Sequence, residues 1–435
     1  MDFISSWHTM QSAGSVFCDH MHEGTGFLPK HVALSVAFEK SVQAINPKLS
    51  IPFWDFTVEG QDIQDNHDGD GTVIKDSSPF FQPDYFGKVN ETLRYATEGV
   101  WAFAPIDDGA WNRVHNSYGI MRAPWNNNKI PYVTRAMSEV CGYYTDKTIP
   151  ACVHHADLVQ LTSLQSFLYA SAGVGHGPMH VHSGGVFGKC ETVFSNLVTK
   201  YSDHIDEKIQ FHEAGKTHSI TVGDMIEKIV QEYFHIYRTL WRSQTCAVDA
   251  KPMALQCPDY CSMDTPAVEC ECTCRGLSDG TFDYTNLIPC MSTNNNTLNL
   301  FKAAPVEFQT DFITAMCESA GNIGDNLESS SPVDIVFHVI HPTVERLVHW
   351  KLLNGDFEDT DWTAYSYYHG CTGHGPDDII GLITPVLPGG STSCSNLEMY
   401  EYINPNKGTM DYIFETFEWD HCSDTVYGSD LLGTA

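Results

Sequence analysis

Histidines are the residues of this chain whose spacing could do chemistry. His22 and His31 lie nine residues apart across the turn Phe27-Leu28-Pro29, and His31 shares a helical stripe with Leu34, Ser35, Phe38, Val42 and Ile45. On a single helix that spacing would turn the two rings to opposite faces, at roughly 100° per residue. A loop carrying His22 and a helix carrying His31 is what lets both reach one point. His176 and His180 form an HxxxH, which on a helix puts both rings on one face a turn apart. Downstream, Phe337-His338-Val339-Ile340-His341-Pro342 again sets a histidine beside a proline. Imidazole is a common metal ligand, and rings delivered to one point by separate segments are what ligation needs.

The elements that must position these rings can be read in part. Pro29 suits the first position of a helix, where its missing N–H costs nothing, so His22 belongs to the incoming loop. Pro342 likewise reads as the opening of a helix through Val344, Leu347, Val348 and Leu352 that stops at Asn354-Gly355. Leu158, Leu161, Leu164 and Leu168 predict a helix leading to the HxxxH. Residues 58–135 read as loop. Within them Asp62, Asp65, Asp68 and Asp70 lack a full EF-hand spacing and read as a solvated tip rather than a calcium site. Met225 to Arg242 predicts one amphipathic helix with Ile226, Ile229, Val230, Tyr233, Tyr237 and Leu240 on its inner face. The last eighty residues, with turns at Pro385 to Gly390 and the run Tyr400-Glu401-Tyr402, suggest a small β-rich region.

A chain of 435 residues with 42% hydrophobic content can bury a large core, and its net charge of −31 includes no basic stripe. Nucleic acid and anionic membranes are poor partners for it, because both demand clustered Lys and Arg. No apolar run is long enough to span a bilayer. Met1-Asp2-Phe3-Ile4 is not a signal peptide. Fifteen cysteines and the sequons at Asn90 and Asn295 nonetheless predict a secreted or lumenal, disulfide-bonded glycoprotein whose targeting segment is missing from this chain. Most of the cysteines form a block at 246, 257, 261, 270, 272, 274 and 290, which reads as a disulfide-stapled module rather than a zinc site. The odd count leaves at least one thiol free, modified or shared between chains.

At its histidines the sequence resembles the type-3 copper family of tyrosinases, catechol oxidases and molluscan haemocyanins. The family's first site, H…HxxxxFLPWH followed by a helix and PYWDW, corresponds to His8, His22 to His31 and Ile51-Pro52-Phe53-Trp54-Asp55-Phe56. Its second site, HNxxHxxxGG and later DPxFxxHHxxxDR, corresponds to His176 to His180 with Gly184-Gly185, then Asp334 to Arg346. Looser matches are Ser78-Pro79-Phe80-Phe81 and Met121 to Asn126. The likeness covers roughly residues 1–190 and 330–355.

The resemblance implies a mainly α fold, a four-helix bundle around a dicopper centre, with long loops, a cysteine-rich insertion and a small C-terminal region. Residues 1–190 and 331–355 would form the core, 191–330 the insertion, and 356–435 the appended region. It implies His8, His22 and His31 as ligands of one copper and His176, His180 and His341 of the other. His8 rests on position only, and His338 competes with His341. His182, His349 and His374 are expected to be hydrogen-bonded core residues. Imidazole suits copper in both its oxidation states, and the implied activity is oxidation of o-diphenols to o-quinones with dioxygen bound as bridging peroxide. His22, His31, His176, His180 and His341 would be its catalytic residues. Dioxygen and phenolic small molecules would be the partners, with a homo-oligomer joined through the insertion as a further option.

Departures from the family pattern refine these expectations. Gly177 stands where phenol-hydroxylating members have Asn, and no Asp or Glu occurs from Leu158 to Gly175, so diphenol oxidation should exceed monophenol hydroxylation. Lys30 and Val32 replace the family's Trp and Arg, and Lys30 suggests an altered partner surface. Glu345 replaces Asp and is expected to pair with Arg346 or cap the helix start. Some members join a cysteine to the second histidine by a thioether. Cys18 lies four residues before His22, and a disulfide is the plainer expectation. The alternatives to an oxidase are haemocyanin-like oxygen binding and a secreted structural or assembly protein on the same fold.

Overall fold

In the computed structural model the stripe that begins at Phe27 builds a helix, α2, over Phe27–Gln43. The structure describes residues 2–22, 24–213, 216–242, 254–291, 295–355, 357–366, 371–381, 394–410 and 412–422. Three other helices bear on the histidines: α1 (Asp2–Ala13), α3 (Gly177–Ser183) and α4 (Phe337–Leu353). The chain is mainly helical, as the resemblance implies. α2 packs against both α1 and α4, over a core that includes Trp7, Phe27, Leu34, Phe167, Phe337 and Leu347. Each such apolar side chain contributes about 1.5–3 kcal/mol when fully buried.

Neither proline opens its helix. α2 begins two residues before Pro29, which sits in the first turn where N–H groups have no intrahelical acceptor anyway. α4 begins five residues before Pro342 and carries it inside. Two bonds from outside the helix flank the proline: Trp54 N–H donates to Val339 O at 2.9 Å and the Thr343 hydroxyl donates to Trp54 O at 2.6 Å. His22 does lie on the loop between α1 and α2.

Several expectations are corrected. The leucine pattern at 158–168 is two helices, Cys152–Gln160 and Leu164–Gly173, parted where Ser163 caps the second. The stretch 225–242 is also two, Val222–Val230 and Tyr233–Trp241. The break at Gln231 leaves the buried face in phase, so periodicity could not reveal it. Gln231 instead donates to Tyr144 O at 2.7 Å and so ties the break to another segment. The expected loop 58–135 opens with a helix, Thr57–Asn66, and contains the strand pair Lys88–Val89 and Ala96–Glu98. Asp62 and Asp65 lie on that helix accepting from the side-chain amides of Asn66 and Gln61, and Asp70 caps the next turn by accepting from Thr72 N–H, so these carboxylates have local partners. In the C-terminal region the described regular elements are helical, chiefly Asn396–Tyr402, rather than β-rich. The signal was Ser395 with Glu398, a reciprocal capping box. Pro385 to Gly390 lie outside the described residues.

The insertion packs onto the core. Its buried Phe194, Met225, Ile229, Tyr237 and Phe312 join one cluster with Ala123, Trp125 and Val186. Strand Gly321–Ile323, near its end, pairs antiparallel with Val186–Gly188, just after α3. Two disulfides, Cys257–Cys272 and Cys261–Cys270, staple the cysteine block, and Cys274–Cys317 fastens it to the helix Val306–Glu318. Cys141–Cys190, Cys152–Cys422 and Cys18–Cys371 join more distant segments, and the last is the disulfide rather than the thioether. Cys394 is free and buried, and Cys246 lies outside the described residues. No described helix is long and apolar enough to cross a membrane.

Candidate metal centre

Two histidine triads meet at the junction of α1, α2, α3 and α4. His8 projects from the middle of α1, His22 from the following loop and His31 from the second turn of α2. Their ring centroids are 5.0 Å apart for His8–His22, 5.5 Å for His8–His31 and 5.0 Å for His22–His31. His176, at the N-cap of α3, joins His180 on that helix and His341 on α4, with centroids 5.0, 4.8 and 5.3 Å apart. Within each triad one nitrogen per ring lies within 4.8 Å of the others, a grouping that could hold a metal ion.

Each ring is held by its Nδ1. His31 and His341 bond the carbonyls four residues before them, Phe27 O and Phe337 O, both at 2.8 Å. His8 bonds Ser329 O at 2.7 Å, His176 bonds Ser171 O at 3.0 Å, and His180 bonds Asn326 O. His22 differs, facing the Asp19 carboxylate at 3.3 Å. An Nδ1–H donated to an oxygen fixes the tautomer with its lone pair on Nε2. The Nε2 atoms of His8, His31 and His341 are buried and have no hydrogen-bond partner among the described residues. Burying a polar atom unpaired costs about 1–3 kcal/mol, so an acceptor left bare in each triad fits a metal as its partner.

Electrostatics favour the same form. Burial, then the crowding of neighbouring imidazoles, pushes His8 down to about 3 and holds His31, His176 and His341 well below the usual histidine range. Burial also takes His180 down to about 4. These rings are neutral near pH 7, the state that ligates. Burial opposes ionisation of Asp19, but His22 and Arg242 hold its carboxyl well below the usual range. Aromatic rings close the space between the triads. Phe27 lies 4.2 Å from His31 and 5.0 Å from His176, while Phe337 lies 4.0 Å from His341 and 5.5 Å from His8.

Other histidines fall outside the triads. His338 does not compete: its Nε2 bonds Pro332 O at 2.9 Å and its ring stacks on Phe38 at 3.9 Å. His182 bonds Ser138 Oγ and Lys147 O, and His374 bonds Asp19 O, as expected of core histidines. His349 is buried too, beside Glu345 at 3.7 Å and the backbone of Ile403. Lys30 is not on a partner surface; it is buried and donates to His20 O, with burial taking its amine down to about 8. Glu345 neither pairs with Arg346 nor caps the helix start. It accepts from the Tyr412 hydroxyl at 2.7 Å, while Arg346 pairs with Asp55 at 2.8 Å.

Residues 1–196 match the family model described as the common central domain of tyrosinase. That match supports the type-3 copper family. No curated protein matches the chain. The match supports oxidoreductase chemistry of the type-3 copper kind and implies a dicopper centre, and the two triads are the groups that could receive it. The supporting acceptors Ser329, Asn326 and Ser171 escaped sequence reading because backbone carbonyls leave no mark in side-chain patterns, and the carboxylate of Asp19 was passed over as well. The one legible signal was Phe-x-x-x-His, present at both 27–31 and 337–341.

Proposed function

We propose that the chain is a diphenol-oxidising polyphenol oxidase, with one copper held by His8, His22 and His31 and the other by His176, His180 and His341. The observation that carries this reading is the adjacency of the triads, whose His31 and His341 rings stack at 4.8 Å. A bound copper pair would supply the redox chemistry, in which two catechols give up four electrons and four protons to one dioxygen, forming two o-quinones and two waters. The chain's own part is to keep the imidazoles neutral, fix each ring through Nδ1, and wall the space with Phe27 and Phe337. His22 and His180, less buried than the other ligating rings, form the side from which a phenol enters.

Hydroxylation of monophenols needs a base. Asp19, the carboxylate set against the first triad, already accepts from Met21 N–H and His22 N–H and faces Arg242. That supports diphenolase activity over monophenolase. The disulfides support a secreted or lumenal setting. A carrier reading draws on a different feature. Residues 363–366 and 371–374 lie along the loop bearing His22, through Thr25 N–H to Tyr365 O, the Gly24–Ser366 bridge and Cys18–Cys371.

Copper content and turnover of catechol and a monophenol, measured on one purified sample, test the proposal. Two coppers per chain with catechol turnover support it. A chain with no copper overturns it, and copper without turnover leaves the carrier.

A further inference from the structure

The segment that closes the insertion reaches both triads. Ser329 O accepts from His8 of the first, at 2.7 Å, and Asn326 O accepts from His180 of the second. These carbonyls are three residues apart on one turn. Thr9, beside His8, also donates its hydroxyl to Ser329 O at 2.9 Å, and Asn326 donates its amide to Ser183 at the end of α3. The turn is thus seated on α1 and on α3 at once.

That turn is held by more bonds than its own fold requires. Asp325 and Arg122 form a two-bonded ion pair at 2.7 and 2.8 Å, both fully buried. Arg122 spends its remaining donors on Asn128 O, Ile130 O and Tyr132 O, and Asp325 also accepts from Thr134. Glu328 accepts from Ala123 N–H and Asn126 Nδ2, at 3.0 and 3.1 Å. Ser330, itself buried, links the two carboxylates, with its hydroxyl 2.8 Å from Asp325 and 2.7 Å from Glu328. Charges buried away from water are costly unless fully satisfied, and a satisfied network of this kind fixes geometry.

We propose that residues 325–330 are a positioning clamp shared by the two triads: one short turn holds a ring of each and so sets the distance between the metals. Asp325, Glu328 and Ser330 are its positioning residues, and Arg122 is its anchor. None of them touches a metal. The proposal rests on the dicopper reading. It goes beyond it by giving the end of the insertion a part in the site, which ligand spacing alone would not do. Outer partners of this kind commonly alter metal affinity by about 10–100-fold.

The test compares the full chain as wild type, Glu328→Gln and Ser330→Ala after loading with copper(II), reading copper per chain, electron paramagnetic resonance and melting temperature. Closely coupled copper(II) spins give no resonance signal, so the wild type should hold both coppers and be silent. The variants should bind both coppers more weakly in parallel and show a signal of uncoupled copper, whereas His8→Ala should lose one copper alone. If both variants hold two silent coppers, whatever their melting temperature, the clamp is refuted while the dicopper reading stands. A wild type that binds no copper removes both. Should Glu328→Gln fail to fold, Ser330→Ala decides, since it deletes a single hydroxyl.

Discussion

His31 and His341 lie face to face, with ring planes 14° apart and centroids 4.8 Å apart, each five residues into its own helix. Each is preceded four residues earlier by a phenylalanine that accepts its Nδ1–H and packs on its ring. The two halves of the centre are therefore built by one local device used twice, although the sequences around it share little else.

This equivalence predicts matching losses. His31→Ala and His341→Ala should each remove one copper and abolish catechol oxidation, with elemental analysis and oxygen uptake as the measurements. Unchanged turnover in either variant would show that the ring is no ligand.

A milder change concerns the ring that no carbonyl holds. Asp19→Asn keeps the size of the side chain facing His22 but removes its charge. Copper affinity should fall by about 10–100-fold, the usual consequence of disturbing a ligand's outer partner. A competition titration with a chelator would read it.

Glu345 predicts a pH dependence that runs opposite to that of an ordinary ion pair. Burial pushes its carboxyl from 4.5 up to about 8. Its folded value lies above its unfolded one, so stability is full below about pH 4.5 and is lost as the pH rises toward 8. The loss is on the order of 3–5 kcal/mol. Glu345→Gln can still accept from Tyr412, so its melting temperature should stay flat across that window and exceed the wild type's at pH 8. Parallel pH profiles for the two proteins would refute the assignment.

Arg346 bonds Asp55, Thr416 O and Glu418 O and stacks on Trp419 at 3.9 Å. Arg346→Ala should cost about 3–5 kcal/mol by leaving Asp55 unpaired. Residues 416–422 should become open to limited proteolysis at lower temperature than in the wild type.

Much of the centre was legible because chemistry constrains residue type and spacing together. His22, His31, His176, His180 and His341 could be proposed from loop-and-helix geometry with the family likeness, and His8 from position alone. Helix boundaries were less legible. Pro29 and Pro342 looked like starts because the helical residues before them, Phe-Leu and Phe-His-Val-Ile-His, follow no side-chain cap that announces an earlier one. The roles of Lys30 and Glu345 were misread for a physical reason: their charge suggested surface or pairing, whereas tertiary packing buries both and leaves each a single oxygen partner. The turn at 325–330 was invisible, since it acts through carbonyls and every residue type has one.

On either side of Pro342, α4 is bound laterally to the Trp54 segment within its first two turns. A helix pinned at that height cannot slide along its axis or rotate by a turn without tearing both bonds. His338, one turn earlier on the same helix, is thereby denied any register in which it could stand in for His341. The two bonds to Trp54, made beside the interior proline, protect the identity of the ring presented at the centre.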